Sequence, residues 1–223
     1  MASSAKIREA HQGTAHTLSE RAYLTLLMVW TMLGFASTTW GALITWHSKF
    51  SGWTTAGLTV LVFAGTFLSV TEVFPVAMLG YALITFPFGL MLGPVVATYT
   101  KASIINVLGI TSILSIGLSG VGIIYPKSLR SWGIVLFAGL LLLILGQFGL
   151  ILLSAFGVPV GPALSFFDWI GIILFSGFII YDMNQAIRSE RTVMSSLGFA
   201  VALYLDILNL FIRLLSVFGN KDD

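Results

Sequence analysis

Three ionisable residues stand where long apolar runs leave little room for charge: Asp182, Asp206 and Arg213. Asp206 lies about midway along Ser195–Phe218, where an ionised carboxylate is costly unless it is paired, hydrated or neutralised by a proton. Along a helix, Asp206, Asn209, Arg213 and Ser216 fall at i, i+3, i+7 and i+10, one polar stripe. That face cannot look at lipid; it must be wrapped by other helices or line a wet cavity. Asp182 is near the end of the preceding apolar run, in Tyr181-Asp182-Met183-Asn184-Gln185, 24 residues before Asp206. A short turn with Arg188 and Arg191 joins the two runs as antiparallel helices. Measured from that turn, Asp182 is several residues inward and Asp206 more than ten, so simple hairpin geometry leaves them at different levels. A tilt or an unwound turn is required for them to meet. Two carboxylates meeting in such a place cannot easily hold two negative charges and would share a proton. The chemistry on offer is a proton switch inside a membrane.

The elements that must position these groups follow from composition. The chain has 223 residues, 57% of them hydrophobic and 9% charged, against roughly 25% charged in soluble domains. Most of it therefore cannot face water, and a disordered or collagen-like chain is excluded. The absence of cysteine removes disulfides, thiol chemistry and thiolate metal sites. The net charge of +2 comes from scattered residues with no patch to follow a phosphate backbone, so nucleic acid is not an expected partner.

Stretches of about 20 apolar residues are long enough to span a bilayer, and seven occur, near 22–46, 54–71, 76–99, 102–125, 132–154, 166–187 and 195–218. Pro75, Pro126, Pro159 and Pro162 lie in or beside the short connections, where no helical N–H is needed. The fold class is an all-α membrane protein, a seven-transmembrane-helix bundle over residues 22–218, with a polar tail at 1–21 and a short tail at 219–223. The first apolar run is too long for a secretory signal and has no clear small-residue cleavage site. Seven Lys and Arg residues fall on the side of the N-terminus and four on the other, which favours a cytoplasmic N-terminus. The parity stays open, because six spans and a re-entrant last segment would return the C-terminus to the same side. Gly89 and Gly93 form a GxxxG, and Ser112, Ser115, Ser119 and Gly122 form a small-residue stripe; both read as helix packing. Pro87 and Pro94 could kink or break the third span. Asp168 is read as a structural carboxylate at the start of the sixth span, and Glu72 as a solvated loop residue.

The stretches Phe175-Ser176-Gly177-Phe178-Ile179-Ile180-Tyr181-Asp182-Met183-Asn184-Gln185 and Ala202-Leu203-Tyr204-Leu205-Asp206-Ile207-Leu208-Asn209-Leu210-Phe211 resemble the transmembrane Bax inhibitor motif family. Gly80-Tyr81-Ala82-Leu83 and Gly89-Leu90-Met91-Leu92-Gly93-Pro94 are similar too, and the segment count agrees across the whole chain. The resemblance implies a bundle whose last helix is central and surrounded by the other six. It further implies a pH-sensitive calcium leak, in a bacterial plasma (inner) membrane, gated by two aspartates that share a proton. Carried over residue by residue these are Asp182 and Asp206, with Tyr181, Asn184, Asn209 and Arg213 as supporting polar groups. In the family a basic residue near the second span can latch to the pair, whereas Ser69-Val70-Thr71-Glu72-Val73-Phe74 has no Lys or Arg. Arg213 shares a face with Asp206 but sits seven residues, about 10 Å, along the helix. It either substitutes in part for that latch or snorkels toward the interface.

Calcium takes six to eight oxygen ligands, and two carboxylates with the Asn184 or Asn209 amides fall short of that. A weak, transient passage site at Asp182 and Asp206 is the expectation, and it suits an ion that must also leave. Calcium is thus transported, with no cofactor; the expected partners are the bilayer, calcium and protons. Enzyme readings do not hold. Intramembrane aspartyl proteases carry Gly-x-Gly-Asp where this chain has Leu203-Tyr204-Leu205-Asp206, and its Pro162-Ala163-Leu164 precedes the sixth span. Gly117-Leu118-Ser119-Gly120 resembles a serine protease motif, yet the histidines, His11, His16 and His47, are in the tail and first loop, so no base is at hand. No Lys lies within a span for a Schiff base, and HExxH is absent. The alternative is an interaction protein that modulates a membrane-anchored protease or a stress response, with the tail Met1–Arg21 as the feature that would carry it.

Overall fold

The structure, a computed structural model, describes residues 17–222. Its seven helices are α1 (Glu20–Ile44), α2 (Gly52–Ser69), α3 (Phe74–Val96), α4 (Lys101–Ile124), α5 (Trp132–Ala155), α6 (Gly161–Ala186) and α7 (Val193–Phe218). Each is long and apolar enough to cross a membrane, and lengths of 18–26 residues correspond to about 27–39 Å against a hydrocarbon core near 30 Å. Among the described residues no strand occurs, only an isolated bridge between Tyr99 and Lys221. Local chemistry sets the helix starts: the side chains of Ser19, Ser51, Thr100 and Thr192 accept the backbone N–H of Ala22, Thr54, Ser103 and Ser195. The largest departure from the predicted spans is α6, which starts at Gly161 because Pro162 fits its first turn. Most of the predicted tail, residues 1–16, lies outside the described residues, as does Asp223.

α7 occupies the centre. Leu203, Tyr204, Asp206, Leu208, Leu210 and Phe211 are all buried, which leaves this stretch no lipid-facing stripe. It packs on α1, α4 and α6 and touches α3, while α2 packs on α3 and α5 on α6. The sheath around α7 thus has two layers. α2 and α5 take its outer positions and bury only Gly65 and Ser69, and Leu136 and Leu143, respectively. At one end Leu18 N–H donates to Arg191 O (2.7 Å), Arg191 pairs with Glu20 (3.0 Å), and the Tyr23 hydroxyl meets Ser189 and Ser195. At the other end Thr100 N–H donates to Asn220 O (2.9 Å) and Asp222 N–H to Thr98 O (3.0 Å). α7 runs unbroken between these ends, so the last segment has the length of a full crossing, as do the other six helices among the described residues.

The GxxxG of α3 faces α1. A Cβ at Gly89 would run into the backbone of Thr38, and one at Gly93 into Thr45 and Ala42; reciprocally, one at Gly41 would lie 2.8 Å from Phe86 O. Pro87 and Pro94 lie inside α3 without breaking it. Pro94 leaves the Leu90 carbonyl without its helical donor, and the Thr45 hydroxyl supplies one at 2.9 Å. The α4 stripe needs correcting: Ser112 is exposed and its hydroxyl returns to Leu108 O (2.8 Å). The buried seam is Ser103, Val107, Thr111, Ser115 and Gly122. A Cβ at Gly122 would lie 3.0 Å from the Met183 Cβ of α6.

Candidate functional site: an aspartate pair in the bundle core

Asp182 lies one turn before the end of α6 and Asp206 midway along α7. The two carboxyls are neighbours across the contact between α6 and α7. Their difference in level is narrowed by the direction of helical side chains, which lean toward their own N-terminus. α6 and α7 are antiparallel, so Asp182 leans into the bundle while Asp206 leans back toward the connecting turn. Asp206 is 7% exposed, and its second oxygen is buried with no hydrogen-bond partner. Among the described residues neither aspartate forms an ion pair with Lys, Arg or His.

Arg213 is not a stand-in latch, and it does not snorkel. It donates to Asp168 Oδ1 at 2.7 Å and to Gln147 Oε1 at 2.8 Å, and the Ser216 hydroxyl donates to Asp168 Oδ2 at 2.6 Å. This cluster joins α5, α6 and α7. Asp168 is well inside α6, correcting its expected place at the helix start, and Gly171 one turn on leaves the room that the arginine fills: a Cβ there would lie 3.0 Å from Arg213 Nε. The stripe on α7 therefore divides into two centres. Asp206 belongs to the first, and Arg213 and Ser216 to the second.

The other expected supporting groups are also committed elsewhere. Asn184, fully buried, accepts from Leu129 N–H (3.0 Å) and donates to the carbonyls of Gly122 (3.1 Å), Tyr125 (3.4 Å) and Lys127 (3.2 Å). It clamps the α4–α5 connection to α6. Asn209 donates to Leu205 O of its own helix (2.8 Å), and the Tyr181 ring lies against Gly133 of α5. Among the described residues no group of three or more His, Asp or Glu is placed to hold a metal.

A hydroxyl network on another face of α7 escaped the sequence reading. The Tyr204 hydroxyl, two residues from Asp206, meets that of Thr38. The Thr38 hydroxyl reaches Thr85 O (3.0 Å), Thr85 Oγ1 donates to Ser37 (3.0 Å), and Tyr81, edge-on to Tyr204, donates to Trp30 O (2.7 Å). Buried hydroxyls need such partners, and here they tie α1, α3 and α7 together at the level next to Asp206. Tyr81 and Tyr204 were visible as motif residues. The signal overlooked was Thr38 and Thr85, polar residues in apolar runs.

A family model described as Inhibitor of apoptosis-promoting Bax1 matches residues 20–223, which include all seven helices and both aspartates. An uncharacterized membrane protein of Vibrio cholerae is 34% identical over 152 residues, 62% of this chain and 64% of that protein. The inner membrane protein YbhL of Escherichia coli is 32% identical over 143 residues, 60% of this chain and 58% of YbhL. A BI1-like protein of Arabidopsis thaliana is 31% identical over 101 residues, 44% of this chain and 36% of its own length. The chain thus spans less than two thirds of the length of these relatives.

Proposed function

The chain belongs to the Bax1-I family, Inhibitor of apoptosis-promoting Bax1, and is an integral multi-pass membrane protein; from that premise we propose that it is a pH-sensitive calcium leak gated by Asp182 and Asp206. The observation that supports this is the closeness of two carboxyls from different helices inside the bundle, with no Lys, Arg or His paired to them among the described residues. Two neighbouring carboxyls in a poorly solvated place favour one shared proton. A shared proton bonds α6 to α7 at the pair. Its loss sets two carboxylates against each other and offers their oxygens to a divalent cation, so proton and calcium compete for the same atoms. On this reading flux rises as pH rises. The ligand set is too small for tight binding, which suits a conducted ion. Asp168 takes no part, since Arg213 neutralises it. The Lys and Arg bias and the similarity to YbhL, an inner membrane protein, support a bacterial inner membrane with the N-terminus cytoplasmic.

The test is calcium entry into dye-loaded liposomes carrying the purified protein, scanned from about pH 5 to pH 8, where a coupled carboxylate pair titrates. Wild-type flux rises with pH, whereas Asp182→Asn and Asp206→Asn each give flux that no longer follows pH. Glu72→Gln, at an exposed carboxylate, keeps the wild-type response. An equal pH response in all these proteins contradicts the assignment. A second reading, an interaction protein without conduction, is favoured by the family's name, Inhibitor of apoptosis-promoting Bax1, which contains a protein target. Absence of flux above empty liposomes at every pH selects it, with a membrane-anchored protease among the partners to test.

A further inference from the structure

α1 and α4 both flank α7 without packing closely on each other. The gap holds a cavity of about 280 Å³ with Ile207, Leu208 and Phe211 of α7 as its floor and Phe35 of α1 and Leu108 of α4 in its walls. Toward the C-terminal end of α1 it meets a second hollow of about 500 Å³, sharing Leu43, Trp46 and Ile104 with it and ending at His47 and Lys101. The result is one groove with a mainly apolar body at membrane depth and a basic mouth where the helices end. Lys101 and His47 are exposed, and Trp46 is half-buried at the junction, a level at which indoles settle in membrane interfaces. Lys221 lies nearby through its bridge to Tyr99, and Asp222 follows it, its N–H donating to Thr98 O.

We infer that this groove binds an anionic phospholipid, one acyl chain lying against α7 and the phosphate held by Lys101 and His47. The occupant follows from the two ends of the groove. Water gains little from an apolar body with few polar partners, while a hydrocarbon chain from the adjoining bilayer fills it without loss. The basic mouth then selects the headgroup by charge, an effect of about fivefold for one lysine near a membrane surface. Binding here does not depend on conduction at the aspartates, so the lipid site and the leak stand or fall separately.

Native mass spectrometry of the detergent-purified chain tests the assignment, using palmitoyl-oleoyl phosphatidylglycerol, phosphatidylcholine with the same chains, and glycerol 3-phosphate as the headgroup alone. The expected result is one retained phosphatidylglycerol, preferred about fivefold over phosphatidylcholine, with no competition from glycerol 3-phosphate. Lys101→Gln combined with His47→Gln removes that preference, and Leu108→Trp, which fills the groove, reduces retention of both lipids. Thermal unfolding in detergent confirms that the variants fold. Equal retention of the two lipids by the wild type, or a preference unchanged in the double variant, overturns the proposal. So does a dimer that Leu108→Trp dissociates, since the groove would then seat a second copy of the chain.

Discussion

Replacing Asp168 by leucine is expected to cost the bundle about 3–5 kcal/mol, the penalty for leaving one partner of a buried ion pair uncompensated. The side chains of Arg213 and Asp168 are 14% and 13% exposed, and they meet at 2.7 Å. Without the carboxylate, the guanidinium keeps only Gln147, while its Nε already lacks a partner. The Ser216 hydroxyl also loses its acceptor. Removing both charges together is a different experiment. Asp168→Leu with Arg213→Met replaces the pair by apolar groups of similar length and should recover most of the loss, because the pair's attraction largely offsets its own desolvation. Unfolding by a denaturing detergent measures both variants. A single variant as stable as the wild type, or a double variant no better than the single, contradicts this account of α5, α6 and α7.

The second large effect lies on the opposite side of α7. Gly89→Ala should destabilise the protein by about 1–3 kcal/mol, as overpacking does in a filled core, although alanine is the better helix former. The added Cβ falls on the Thr38 backbone, and its next contacts there are at 2.8 Å. Thr38 cannot simply retreat, because its hydroxyl is held by Tyr204 and by Thr85 O. Gly109→Ala is the matched comparison: nothing lies within 4 Å of a Cβ at that lipid-facing site, so it should be neutral or gain up to about 1 kcal/mol. Equal thermal midpoints for the two variants in the same detergent would show that the α1–α3 seam yields, against the packing described above.

These two contrasts also mark what the sequence makes legible. The seven spans are plain in it because apolar runs, capping hydroxyls and connecting prolines all agree, and the helix starts move only where a capping hydroxyl, Pro75 or Pro162 sets them. Asp182 and Asp206 are recognisable by type and motif. Their pairing is less so, because counting residues from the turn ignores the opposite lean of side chains on antiparallel helices. The partners of Arg213 are hidden for another reason: Asp168 and Gln147 stand 45 and 66 residues away in the chain, on two other helices. A stripe along one helix shows which face is polar and is silent about what will face it. Asn184 illustrates the same limit, since its four backbone partners belong to the end of α4 and the connection after it, more than 50 residues earlier.

The proton proposed to be shared by Asp182 and Asp206 can be followed directly. Infrared spectroscopy of the reconstituted protein, titrated from about pH 5 to pH 8, reports a protonated carboxyl by its C=O stretch. The account predicts one such band in the wild type, absent in both Asp182→Asn and Asp206→Asn, which fades over the pH range in which calcium flux rises. A band that survives either substitution, or that titrates apart from the flux, would place the proton elsewhere and contradict a gate at Asp182 and Asp206.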